Sequence, residues 1–182
     1  MPQIGTRELA ALISALLFAA MTGCSNSEPE AVPELPERIC WGVFTENEIA
    51  PLMPVGKKAE MHADAFVFDE DRRDSATCSL YIDGRHGMLV NAVILDFEDE
   101  VDWSSWDVAK PQPIDVGKKG LIWRGGAGTH LACEEPKSPE PGKYIQMHIS
   151  TDRSPDKEKL QAALPGLLRQ LVTFAKRELN CP

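Results

Sequence analysis

The sequence predicts an α+β domain: an antiparallel sheet of about five to six strands, with a short helix before it and a long helix packed on it. Three observations carry that expectation. Short segments rich in β-branched and apolar residues follow one another between residues 60 and 150, separated by turns containing glycine or proline. A capping pattern, "TENE", precedes them, and an apolar set at helical spacing closes the chain.

In chain order, "CWGVFTENEIAPLMP" comes first, where Thr45 and Glu48 form the S/T-x-x-E signature of a helix start and Pro54 ends the element. The strands "EMHADAFVFD", "ATCSLYID" and "MLVNAVILDF" read as a meander, with "DGRHG" turning the second into the third. Cys78, Leu80 and Ile82 alternate onto one face, whereas the third strand is apolar at both parities and is expected to be central. After the excursion "DWSSWDVAKPQPID", "GLIW" and "THLACEE" flank a "RGGAG" turn, and "KYIQMHIS" supplies a further strand. In the final helix Ser154 is the expected N-cap with Pro155 at the first helical position. Leu160, Leu164, Leu167, Leu168, Leu171, Val172, Phe174, Ala175 and Leu179 lie on its buried face, and Pro165-Gly166 predicts a kink.

Residues 1–23 have a different character. "LAALISALLFAAM" is shorter than the roughly 20 apolar residues a membrane span needs and suits the core of a removable signal peptide. The "MTGC" that follows is similar to a bacterial lipobox, in which the cysteine thiol is lipidated and the chain is cut before it, so Cys24 is the expected lipid-bearing first residue. Residues 24–39 contain three prolines and four glutamates without hydrophobic periodicity, a composition expected to remain a disordered stalk. Extended, it would reach roughly 45 Å. Residues 40–182 then form a single domain.

The charge of −9 argues against nucleic acid as a partner, since no Lys/Arg cluster offsets the repulsion between an acidic domain and phosphate backbones. Membrane contact is expected through the lipid alone. With Cys24 lipidated, Cys40, Cys78, Cys133 and Cys181 make an even set in an exported chain, which points to two disulfides. Three connectivities are open, and order along the chain favours Cys40–Cys78 with Cys133–Cys181. The wide spacing does not suit a zinc site.

Lipobox, Pro/Glu stalk, a "CW" before a short helix, a cysteine in each of two strands and a last one after a terminal helix together resemble the small lipoproteins of high-GC Gram-positive bacteria. The resemblance implies a disulfide-stapled α+β domain on the outer face of the cytoplasmic membrane. It carries no catalytic residue over and implies no cofactor.

Catalytic motifs give little. "SPDK" matches S-x-x-K, but the S-D-N and K-T-G elements of those serine enzymes are missing; G-x-S-x-G and H-E-x-x-H do not occur. "RGGAG" lacks a phosphate-loop lysine and reads as a hairpin turn. The most unusual composition is "DFEDEVDWSSWD", in which Asp96, Glu98, Asp99, Glu100 and Asp102, with Trp103 and Trp106, form a candidate ligand surface for calcium or a sugar. A solvated edge with core-packed tryptophans explains the same residues. If "PKSPEPG" closes a hairpin, Glu135 faces Lys143, Cys133 faces Ile145 and Leu131 faces Met147, which sets His130 opposite His148 as a candidate metal pair without an evident third ligand. The expected function is a non-catalytic binding or interaction module of the cell envelope, with a protein or glycan partner; the alternative is a small extracytoplasmic hydrolase. One deep polar cleft would favour the hydrolase.

Overall fold

A computed structural model describes residues 31–68, 74–101, 110–137, 142–151 and 153–182. The signal segment, Cys24 and the rest of the expected stalk up to residue 30, Asp102, Trp103 and Trp106 lie outside these residues. Leu35 and Ile39 of that stalk are buried in the core, and the Gly56 N–H donates to the Ala31 carbonyl at 3.0 Å, so the packed domain starts before Cys40.

The domain begins with a two-stranded ribbon, β1 (Arg38–Ile39) and β2 (Phe44–Thr45), leading into α1 (Glu46–Ile49) and a 3-10 turn, Ala50–Leu52. The Glu48 carboxylate accepts the Thr45 N–H at 2.9 Å and the Thr45 hydroxyl at 2.8 Å, so the helix start lies where the sequence places it. Gln170, far along the chain, donates to the other Glu48 oxygen at 2.6 Å. These bonds, Gln170 first, hold the Glu48 carboxyl below its ordinary value.

The main sheet has seven strands: β3 (Ala59–Ala63), β4 (Ser75–Ile82), β5 (Arg85–Leu95), β6 (Gln112–Ile114), β7 (Gly120–Trp123), β8 (Gly126–Glu134) and β9 (Lys143–Ser150). Their spatial order is β3-β4-β5-β9-β8-β7-β6, and every neighbouring pair is antiparallel. Two meanders, β3 to β5 and β6 to β9, therefore meet where β9 pairs with β5. The sheet is larger than the five to six strands expected because β6 contains Pro113 and reads as loop; at a sheet edge a residue without a donor is tolerated. β5 is interior, as its apolar character at both parities predicts, although β9 holds the middle position.

One sheet face carries Cys78, Leu80 and Ile82 of β4, Met88, Val90 and Ala92 of β5, and Ile145, Met147 and Ile149 of β9, all buried. Against it lies α2 (Lys157–Glu178), which buries Leu160, Leu164, Leu167, Leu168, Leu171, Phe174 and Ala175 in the same core. Burying each leucine contributes about 1.5–3 kcal/mol. The N-cap of α2 is Asp156, whose carboxylate accepts the Lys159 N–H at 2.9 Å, and not Ser154. Two capping residues stand two positions apart, and the carboxylate takes the helix end while the Ser154 hydroxyl donates to the Asp156 carbonyl at 3.2 Å. Pro165 sits within α2 without ending it.

Gly166 is exposed in the middle of this helix, and nothing lies within 4 Å of an added Cβ. Gly166→Ala is expected to raise stability by about 0.5–1 kcal/mol, because alanine loses less backbone freedom on folding. In thermal melting that is a rise of about 1–4 °C; an unchanged or lower midpoint would contradict it.

Disulfides join Cys40 to Cys78 and Cys133 to Cys181. The first ties the β1–β2 turn to β4, and the second ties β8 to the residues just beyond α2. No helix among the described residues is long and apolar enough to cross a membrane.

Candidate functional site

The acidic segment leaves β5 at Asp96 and makes a 3-10 turn, Glu98–Glu100. Two of its carboxylates serve the fold. Glu100 accepts the N–H groups of Asp96 at 3.1 Å and Phe97 at 3.2 Å, closing its own turn. Glu98 reaches across the sheet, with one oxygen 2.9 Å from His130 Nε2 and the other 2.8 Å from Lys118 Nζ. Lys118 also stands 3.8 Å from Glu135, which accepts the Tyr144 hydroxyl at 3.2 Å. Lys118 and then His130 hold the Glu98 carboxyl below its ordinary value, and Glu98 raises Lys118 in return. Burial first, then Glu135, raises the Tyr144 phenol. Asp96 is exposed at the end of β5; the side chain of Asp99, with Asp102, Trp103 and Trp106, falls outside the described residues.

The expected opposition of His130 and His148 does not occur. β8 and β9 are adjacent and antiparallel, but His130 faces Gln146 and His148 faces Gly128. Glu134, not Glu135, faces Lys143, and a bulge at Cys133 adds a second step, so Leu131 meets Ile145 and Thr129 meets Met147. A slip of two residues preserves each side chain's face while changing its partner. His130 is engaged with Glu98 instead, and among the described residues no group of three or more His, Cys, Asp or Glu side chains is placed to hold a metal ion.

All four histidines of the chain nevertheless share the sheet face turned away from α2: His62 on β3, His86 on β5, His130 and His148. At its open end Tyr81 stands between His62 and His86, with ring centroids 5.7 and 4.4 Å away. His148 lies half-buried between Asn91 of β5 and Gly128 of β8, and burial lowers its pKa from the ordinary 6.5. With the folded value lowered, the unfolded chain binds the proton more readily. Stability is therefore full above pH 6.5 and declines as pH falls through the folded value. His148→Asn is expected to remove this component, so the variant should gain on the wild type between about pH 7 and pH 5 in urea unfolding. A stability difference that stays constant over that range would rule the assignment out.

A pocket of about 450 Å³ with several polar groups in its lining lies at the β6–β7 edge. Gln112 comes from β6, Ile122 and Trp123 from the end of β7, Arg124 from the β7–β8 turn, and Gln161 from the second turn of α2; Lys110 lies just before β6. Gly126 makes room for the indole. A Cβ there would stand 2.8 Å from the Trp123 ring and 2.4 Å from the Ile149 carbonyl oxygen. Pro165 has no N–H, so the carbonyl of Gln161 lacks its helical donor four residues on. Two cations, two amides and an indole thus line one concave surface, with no carboxylate in its lining among the described residues. The sequence offers no sign of it: Arg124 reads as part of a plain hairpin turn, and Gln161 is not among the apolar positions that define the last helix.

No family model matches the chain, and comparison with curated proteins and with solved structures finds no match.

Proposed function

We propose that this protein is a lipid-anchored, extracytoplasmic binding module of the bacterial cell envelope, held through Cys24 and binding an acidic envelope glycan in the pocket at the β6–β7 edge. The observation that carries the reading is the lining of that pocket: the Trp123 indole, the Gln112 and Gln161 amides, and the Lys110 and Arg124 cations. An aromatic face stacks on a sugar ring, amides hydrogen-bond its hydroxyls, and a guanidinium pairs with a uronate carboxylate. Two disulfides in a domain of this size suit an oxidising compartment. The "MTGC" sequence would supply the anchor, and the polar residues between Cys24 and the packed domain a short spacer.

Two experiments test the parts separately. Cys24→Ser should abolish metabolic labelling with a fatty-acid analogue; undiminished labelling would refute the anchor. Calorimetric titration with a glucuronate-containing oligosaccharide should show binding that Trp123→Ala and Arg124→Ala each weaken about tenfold or more. Equal binding by wild type and both variants, or none by the wild type, would remove the glycan from the reading.

A further inference from the structure

Three arginines distant in the chain meet along the C-terminal half of α2. Arg38 comes from β1; Arg169 and Arg177 stand two turns apart on one stripe of the helix, with Thr173 between them. With Gln170 and Phe174 they line an open groove of about 330 Å³ that has no carboxylate in its lining among the described residues. In a chain of net charge −9 this is a local concentration of positive charge, three guanidinium groups flanked by the Glu48 and Glu178 carboxylates. Over the roughly 8–10 Å across which charge acts in physiological salt, the groove and not the whole domain sets the potential.

The fold presents these groups in fixed positions. The loop between β1 and β2 places Cys40, Trp41 and Gly42 consecutively in left-handed backbone, φ 46, 58 and 78°, closed by the Val43 N–H on the Cys40 carbonyl at 3.0 Å. Two non-glycine residues held this way cost about 1–2 kcal/mol each. The Cys40–Cys78 disulfide holds one, and the Trp41 indole holds the other by donating to the Asp64 carbonyl at 2.7 Å and stacking on Phe174. Turned this way, the loop brings bare backbone at Gly42 under Arg38: a Cβ would stand 3.6 Å from its Nε and 3.7 Å from its Nη2. Arg177 lies over the Phe174 ring, 5.4 Å from its centroid. Its one carboxylate partner is Glu178 at 2.9 Å, an exposed pair of small worth. Glu48 lies close enough to act electrostatically on Arg38, and its two oxygens are engaged by Thr45 and Gln170. Arg38 and Arg169 form no ion pair among the described residues.

We propose that this groove binds a phosphomonoester, with the phosphate held among Arg38, Arg169 and Arg177. A carboxylate has one charge and two oxygens, which a single guanidinium fork satisfies. A phosphomonoester carries about 1.5–2 negative charges and three terminal oxygens at neutral pH, enough to engage more than one of the guanidinium groups that line the groove. The same chemistry occurs on soluble phosphorylated molecules and on phosphomonoester lipid headgroups. The inference is independent of the glycan pocket, which involves other residues nearer the start of α2.

The mature chain would be titrated at low ionic strength with inorganic phosphate and glycerol 3-phosphate, and sedimented with phosphatidylcholine vesicles with and without phosphatidic acid. Binding to either source, weakened about tenfold or more in Arg169→Ala and in Arg38→Ala and lost in the double variant, is the expected result. Binding confined to the soluble probes identifies a soluble ligand, and binding confined to phosphatidic acid identifies a headgroup. Absence of binding to every probe, affinities unchanged in the variants, or acetate competing as well as phosphate would overturn the proposal. Arg169 is exposed on α2, so Arg169→Gln, checked for an unchanged thermal midpoint, keeps the test valid if an Arg38 variant folds poorly.

Discussion

Replacing Cys40 and Cys78 together by alanine is expected to lower the unfolding free energy by about 4 kcal/mol. The bridge spans 38 residues, and releasing a loop of that length returns conformational freedom to the unfolded chain. For a domain whose whole stability is about 5–15 kcal/mol, such a loss moves the urea midpoint far toward zero. The Cys133–Cys181 bridge spans 48 residues, so loop closure alone assigns it nearly the same value. A comparison of the two double variants therefore isolates something else. If the bridge holds Cys40 in its left-handed conformation, removing it lets that residue relax, so this variant should lose less than the Cys133–Cys181 variant, by about 1–2 kcal/mol. Equal losses would show that the turn keeps its shape without the bridge, and a loss below about 1 kcal/mol at either site would contradict the loop-closure account.

Phe44→Ala is expected to cost about 3–5 kcal/mol. Phe44 is fully buried between the β1–β2 turn and the first turn of α1, in the core cluster that includes Ile49, Leu80 and Leu171. Truncation forfeits the transfer free energy of the ring and leaves a space that disulfide-tied neighbours fill poorly. Arg85→Ala, at an exposed strand end, should change stability by no more than about 0.5 kcal/mol and serves as the reference. A loss at Phe44 no larger than that would mean the N-terminal ribbon is not part of the cooperative core.

The parts of the fold legible in the sequence are those decided locally. β4, β5 and β9 alternate or run apolar over eight residues or more, and the leucines of α2 repeat over its whole length, so a short window suffices. The Thr45–Glu48 pair is a local signature as well. What the sequence conceals depends on competition or on distance. Ser154 and Asp156 both suit a helix start, and only the packed position of α2 selects between them. The bulge at Cys133 leaves no mark on the alternation of β8, yet together with the one-residue offset that sets Glu134 opposite Lys143 it moves His130 two residues away from His148. Pro113 hides an edge strand. The candidate sites are the least legible, because Arg38 meets Arg169, and Arg124 meets Gln161, only after both meanders and α2 have come together.

The placement of the two disulfides relative to the sheet makes the molecule divisible. Each bridge lies within one meander and its attached helix or ribbon, and neither crosses the β5–β9 pairing, which runs from Leu89 opposite Ser150 to Leu95 opposite Tyr144. A chain cut once between residues 101 and 110 would consist of two internally stapled pieces with no covalent link between them, mated by seven backbone-paired positions and the side chains on either side. Co-expressed as separate polypeptides, the two pieces should find each other and restore the native near-ultraviolet signal, making the domain a natural split reporter for strand pairing outside the cytoplasm.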